Sequence, residues 1–455
     1  MRYLRDKIVI VTGAGLSAPA NLPIQDKILK EMTEPPEENI IDSAMDKESV
    51  KFLSAYIQVA IYLLREYAAD IDVKKIIERY KRINEIYRSN NRVLEIIDFI
   101  GTNYNFKAEE KDFNLIDVLS DTGKRFYLEP DEYCNELMLL REELREQLQK
   151  ADIQICLEDI FTLFDKCITM KENTADYTYP EIDNLQNAIL RLFTFYFSNK
   201  VNSHAYDKSD YLETIRYIGR HAGHIAVITT NWDILLEEYF RKNGIDFDYK
   251  FNSPYVIKSD GKLYPDTDSS SSFRIPYIKI HGSINWFRCL KCGTLQICDA
   301  ETCGKYLFDD SEEEKCIKCG QKAEGDAVQI KPEIITPTMM KLLNSQLYNN
   351  LWQNAAYELQ QADKVIFCGY SLPLADYEFR YLLKQNIRSG TDIDVVLYHN
   401  DDPGRCTDDN MINFLPEKRY ADLFPNSNCR FCYEGFGEYF AEENKQSANK
   451  KSSKN

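Results

Sequence analysis

Five histidines occur in the 455 residues, so any chemistry that needs an imidazole must choose among His204, His221, His224, His281 and His399. His281 stands apart by its setting: it follows the apolar stretch Pro276-Tyr-Ile-Lys-Ile280 and precedes Gly282-Ser283. With an unperturbed pKa of about 6.5, an imidazole suits proton uptake near neutral pH. Asn231, in Thr230-Asn231-Trp232-Asp233, follows a second apolar stretch. Its amide both donates and accepts, which suits it to position a water or a hydroxyl. Blander roles are open to both. His281 could be a turn histidine, and Asn231, or more readily Asp233, could cap a helix beginning near Ile234. His204, His221 and His224 lack such context and read as structural.

A third group lies near the N-terminus, in Lys7-Ile-Val-Ile-Val-Thr-Gly13-Ala14-Gly15-Leu-Ser17. The β-branched run predicts a buried parallel strand, and the small-residue turn lets backbone N–H groups approach a phosphate. By itself this is a weak signal, because Ala18 holds the third glycine position of the G-x-G-x-x-G pattern. The cysteines form a fourth group. Six of thirteen fall between Cys289 and Cys319, including the pairs Cys289-x2-Cys292 and Cys316-x2-Cys319, each followed by glycine. Two such knuckles predict a zinc ribbon holding one structural Zn2+, with Cys298 and Cys303 as spares that could replace a ligand. Cys429 and Cys432 read as packing.

The elements that must carry these residues follow from hydrophobic periodicity. Apolar runs at Ile8–Val11, His224–Thr229, Pro276–Ile280, Lys364–Cys368 and Asp394–Tyr398 each end in small or polar residues. Helical spacing at Ile234–Arg241, Leu347–Gln360 and Tyr377–Ile387 alternates with them. Such alternation predicts an α/β fold around a parallel sheet, with Gly13, Asn231, His281, Gly369 and Asn400 gathered on its carboxyl rim, where ligands of open sheets bind. From about 30 to 220 the pattern is helical and aromatic-rich. The organisation read from this is a Rossmann-like domain in two parts, 1–29 and 221–440. A helical insertion fills 30–220, the zinc-ribbon module 287–320, and a disordered basic tail 441–455. Pro254–Phe273 reads as a polar surface excursion. A formal net charge of -17 argues against nucleic acid and anionic membrane as partners. With no span of about 18 apolar residues and no leader pattern, a cytoplasmic location is expected.

Gly13-Ala-Gly-Leu-Ser17, Thr230-Asn-Trp-Asp233, His281-Gly-Ser283, the cysteine module and Gly369-Tyr-Ser-Leu372 together resemble, in order, the sirtuin NAD-binding family. The resemblance implies cleavage of the nicotinamide–ribose bond of NAD+. It implies that Gly13, Ala14, Gly15 and Ser17 hold the pyrophosphate and that Asn231 and Asp233, with Thr230 beside them, face the nicotinamide ribose. It further implies that His281 is catalytic and that Gly369, Ser371 and Asn400 lie toward the adenosine half.

Departures from the deacylases of that family are equally specific. Asn21-Leu-Pro-Ile-Gln-Asp26 stands where they carry a Gly-Ile-Pro-Asp-Phe-Arg type of loop, and Thr230 stands where they carry glutamine. With its large insertion, the chain looks more like bacterial antiphage-defence sirtuin-like proteins. That implies an NAD+ glycohydrolase that depletes NAD+ on infection, works as a homo-oligomer, and answers to a partner ATPase or a phage-protein trigger. The alternatives are a protein deacylase or ADP-ribosyltransferase, and a non-catalytic nucleotide-sensing module.

Overall fold

The computed structural model describes residues 6–22, 28, 47–68, 71, 73–84, 130–153, 157–173, 177–251, 255–257, 263–265, 274–298, 303, 330–338, 346–398, 415–425, 427 and 429–452. Its centre is a parallel sheet of seven strands: β1 (Ile8–Thr12), β2 (Ile225–Thr229), β3 (Phe247–Asp248), β6 (Ile275–Lys279), β10 (Lys364–Cys368), β11 (Asp392–Val396) and β12 (Cys429–Cys432), in the order β12-β11-β10-β1-β2-β6-β3. β1 lies in the middle, with Ile8 opposite both Ile225 and Lys364. The chain leaves β1 for β2 on one side and later returns to build β10, β11 and β12 on the other. The carboxyl ends of β1 and β10 therefore flank a topological switch point, the usual seat of a ligand in such sheets.

These strands are near-continuous apolar runs because both faces are covered. On one face Val9, Val11, Ile228, Val365 and Phe367 pack against α8 (Gln346–Gln361), α9 (Tyr377–Asn386) and α10 (Pro416–Leu423) through residues such as Leu351, Phe379 and Tyr420. On the other, Ile8, Ile10, Val227 and Ile366 meet α6 (Ser209–Arg220), α7 (Leu235–Lys242) and α11 (Gly435–Ser452). That second core runs on into helices α2 (Lys47–Tyr67), α3 (Pro130–Ala151), α4 (Leu157–Met170) and α5 (Tyr179–Asn202), which pack on one another. α6, counted with the insertion from sequence, instead packs along α11 and leads straight into β2, the position of a crossover helix. Among the described residues no helix is long and apolar enough to cross a membrane.

A second sheet, order β5-β4-β8-β7-β9, contains β4 (Tyr255–Ile257), β5 (Leu263–Pro265), β7 (Gly282–Cys289), β8 (Leu295–Ile297) and β9 (Ile330–Ile334). Here two expectations are corrected. The stretch read as a polar excursion carries the antiparallel pair β4–β5; three-residue runs such as Tyr-Val-Ile are too short to show through Ser- and Asp-rich surroundings. The tail expected to be disordered from 441 is helical to Ser452. Its anchor is Asn444, whose Nδ2 donates to Glu213 O at 2.9 Å while Arg220 Nη1 donates to Asn444 O at 3.0 Å. Once that turn is docked, the Ala, Lys and Gln residues beyond it propagate the helix.

Candidate active site

The exits of β1, β2, β6 and β10 converge on a cavity of about 720 Å³, inside the ~300–1,000 Å³ range of small-molecule sites. Nine of the residues singled out from sequence line it: Ala14, Gly15, Ser17, Thr230, Asn231, Asp233, His281, Gly369 and Ser371. Gly13 sits directly beneath and is hydrogen-bonded to Asn231. Asn400, on the exit of β11, lies outside the described residues.

The first half of the site is a knot between the β1 and β2 exits. Asn231 Nδ2 donates to Gly13 O at 3.0 Å and to Ser17 Oγ at 3.1 Å, and Ser17 Oγ donates to Asp233 Oδ2 at 2.8 Å. Both hydrogens of the amide are thereby committed, which fixes its orientation and makes Oδ1 its ligand-facing atom. Asp233 Oδ1 accepts the Leu235 N–H at 3.0 Å, the first N–H of α7, although the N-cap position itself is Ile234. Burial pushes the Asp233 carboxyl up, against the opposing pull of Lys279. Beneath this turn lies a buried ion pair, Lys279 Nζ to Glu237 Oε1 at 2.7 Å; Tyr277 donates to Glu237 Oε2 at 3.1 Å, and Lys279 also donates to Asp233 O. Thr230 ties the two strands, its N–H donating to Thr12 O at 3.1 Å.

The glycine turn differs in one respect from its expected use. The N–H groups of Gly13 and Gly15, read as phosphate donors, are given to Cys368 O at 3.2 Å and Gly369 O at 2.9 Å. The glycines serve the close approach of two backbones. A Cβ on Gly15 would lie 2.8 Å from the Gly369 Cα, and one on Gly369, which has φ +62°, would lie 2.3 Å from the Leu16 nitrogen. Tyr398 and Tyr211 clamp the turn further, donating to Gly15 O at 2.8 Å and Leu16 O at 2.7 Å.

The second half is His281, between β6 and β7. Its aim is set by Gly282 at φ +78°, where a side chain would meet Glu333 O at 2.0 Å, and by its own carbonyl, which accepts the Ile335 N–H at 2.9 Å. His281 Nε2 lies 3.7 Å from Asp376 Oδ1. Sequence reasoning passed over Asp376, because an aspartate just before a helix looks like a cap. It also passed over Glu158 and Asp159 at the start of α4 and Phe197 on α5, which wall the cavity. Acidic residues in a first helical turn look like dipole partners, and only tertiary packing reveals their second role.

In the second sheet Cys289 and Cys292 lie in a tight hairpin: Gly293, at φ +70°, donates its N–H to Cys289 O at 2.9 Å, and the Cys289 N–H donates to Thr294 O at 3.0 Å. Cys298 and Cys303 are buried against β7, Cys303 Sγ donating to Ile284 O at 3.0 Å. Cys316 and Cys319 lie outside the described residues. Among the described residues no three His, Cys, Asp or Glu side chains come together to hold a metal.

Known proteins resemble the chain as follows. A family model described as a SIR2-like domain matches residues 225–410. A mutant Sir2 homologue solved with ADP-ribose is 15% identical, with 64% of this chain and 84% of that one covered and a TM-score of 0.33. A Sir2 homologue–NAD complex is 16% identical over 59% and 76% of the two chains, with a TM-score of 0.31. A structure described as the basis for the mechanism and regulation of Sir2 enzymes is 13% identical over 98% and 94%, with a TM-score of 0.35. No curated protein matches the chain. The match to a SIR2-like domain model thus covers residues 225–410, within an α/β fold whose parallel sheet has seven strands.

Proposed function

We propose that this chain hydrolyses NAD+ to nicotinamide and ADP-ribose. The observation that carries the proposal is the meeting of Asn231 and His281, 50 residues apart in sequence, on one cavity above the switch point of the sheet. The ribose C1′–N bond breaks with its electron pair going to the pyridinium nitrogen, so nicotinamide leaves neutral and positive charge develops on the ribose. A water oxygen bonds to C1′. Its proton passes to the His281 imidazole and from there to solvent. Asn231 Oδ1 holds the water or a ribose hydroxyl by accepting its hydrogen, a role open to it because Nδ2 is committed to Gly13 and Ser17. Ala14, Gly15 and Ser17 line the part of the cavity assigned to the pyrophosphate, and Gly369 and Ser371 the part assigned to the adenosine side.

A structural Zn2+ belongs to the same proposal, held by Cys289, Cys292, Cys316 and Cys319; the tight hairpin between Cys289 and Thr294 is compatible with that use. A closed four-thiolate site supports the fold and takes no part in the reaction. In the cell the proposed outcome is NAD+ depletion on phage infection. The insertion gates the pocket, since Glu158, Asp159 and Phe197 already form its wall. Product analysis with and without an acylated peptide, on wild type and on Asn231 and His281 variants, separates hydrolase from deacylase and both from a binding module.

A further inference from the structure

Asp376 occupies the N-cap position of α9, yet its side chain makes no capping hydrogen bond. The carboxylate turns to the cavity rim instead. Oδ2 accepts the Tyr370 hydroxyl at 2.9 Å, and Oδ1 stands 3.7 Å from His281 Nε2. Asp376 and His281 are 8% and 6% exposed, so little water screens one from the other. Tyr370 is held in turn: its ring meets Phe379 edge-on at 5.6 Å, and its carbonyl accepts the Tyr420 hydroxyl at 2.6 Å. Burial, reinforced by the Asp376 charge, pushes the Tyr370 phenol well above its ordinary range, so it remains a donor to the carboxylate.

Resting on the hydrolase assignment above, we propose that Asp376 is a positioning residue for His281: its carboxylate, oriented by Tyr370, fixes the attitude of the imidazole and balances the imidazolium formed when His281 takes up the proton. A base buried in a cavity becomes a buried cation once it has done its work, and an unpaired buried cation is costly. The carboxylate supplies the counter-charge. At 3.7 Å the two groups stand within ion-pairing reach though beyond hydrogen-bond length, and catalytic contacts of this kind often shorten when substrate binds. Other titratable groups share the cavity. Asp233, Glu158, Asp159 and Arg419 line the cavity with it, as does Tyr398. Beneath Gly282 lie Tyr348 and the paired Glu333 and Arg288, 2.5 Å apart. Asp376 stands at ion-pairing distance from the ring.

The test uses the full chain and two substitutions. Asp376→Asn keeps an acceptor for Tyr370 and removes the charge, whereas Tyr370→Phe keeps the charge and removes the bond that orients it. The first readout is the His281 ring titration by NMR on histidine-labelled protein, the signal assigned by its loss in His281→Ala. The second is the pH dependence of kcat/KM for NAD+. Asp376→Asn is expected to lower the His281 pKa by about one unit and to move the acidic limb of kcat/KM down with it. It is also expected to cut kcat by at least ~10²-fold while KM changes only a few-fold. Tyr370→Phe is expected to lower kcat ~10-fold, an order-of-magnitude figure for a less well-oriented base, with the His281 pKa kept near that of wild type. An unchanged His281 titration and an unmoved acidic limb in Asp376→Asn would overturn the proposal and leave Asp376 a packing residue. Should that variant not fold, unchanged kcat in Tyr370→Phe overturns it equally. Wild type that releases no nicotinamide even with extract of phage-infected cells added refutes the hydrolase assignment, while the ring titration still decides whether Asp376 governs His281.

Discussion

The hydroxyl of Ser17 donates to the carboxylate of Asp233 at 2.8 Å, joining two turns that are 216 positions apart in the chain. This bond, together with the one Ser17 accepts from Asn231, makes a small rigid unit from the exits of β1 and β2. Ser17→Ala leaves the buried Asp233 and the half-buried Asn231 one bond short, which costs about 1–3 kcal/mol. The expected result is a lower urea midpoint together with a drop in kcat/KM of ~10-fold, as Asn231 loses one of its two anchors. Unchanged turnover in a folded variant would show that Asn231 is held well enough by Gly13 alone.

Gly369 tests the close approach of the two backbones. A methyl group there meets the Leu16 nitrogen at 2.3 Å and adopts φ +62°, so Gly369→Ala is expected to cost roughly 2–4 kcal/mol, from steric contact plus left-handed strain. Gly223→Ala, with nothing within 4 Å of its added methyl, is expected to be within about 0.5 kcal/mol of wild type. Chemical denaturation of the two variants compares them directly. Equal stabilities would mean that the turn is not packed as described.

Asp394 sets an acid limit. Burial works to raise its pKa, but Arg430, Lys364 and Tyr439 all donate to it and together hold it down to about 2. The folded value lies below the unfolded one, so the unfolded chain takes up the proton first as pH falls. The stabilisation is therefore complete above pH ~4 and lost between pH ~4 and ~2; its size is about 2 kcal/mol. The difference in unfolding free energy between wild type and Asp394→Asn, followed from pH 5 to pH 2, is expected to shrink across that window. A constant difference would contradict the assignment.

Metal analysis addresses the ribbon. Protein purified without chelator is expected to carry about one zinc per chain, and Cys289→Ser or Cys316→Ser to lower thermal stability more than turnover per folded molecule. Absence of zinc from fresh protein would remove the proposal.

Much of the sheet was legible because β1, β2 and β10 are short β-branched runs ending in small or polar residues, and that pattern marks both a buried strand and its ligand-facing end. The cavity members Asn231, His281 and Gly369 followed from it, whereas Ser17 came from the family resemblance. What stayed hidden depends on tertiary neighbours. The N–H groups of Gly13 and Gly15 were read as phosphate donors because nothing local shows that the Cys368 and Gly369 carbonyls would claim them. Asp376 and Glu158 each satisfy a local helix rule, which masks their place at the cavity. The tail beyond 441 is polar enough to read as disordered, and its helix depends on the docking of Asn444 against Glu213 and Arg220.

The most direct test of the central claim is the release of nicotinamide and ADP-ribose from NAD+, quantified by chromatography for wild type, Asn231→Ala and His281→Ala, with and without an acylated peptide. It is run on the purified full chain and again with extract of phage-infected cells added. The account predicts equimolar nicotinamide and ADP-ribose from wild type without peptide. It also predicts a loss of ~10²–10⁴-fold in either variant, with NAD+ binding retained. Nicotinamide release that requires the acylated peptide, or that survives in both variants, would contradict it.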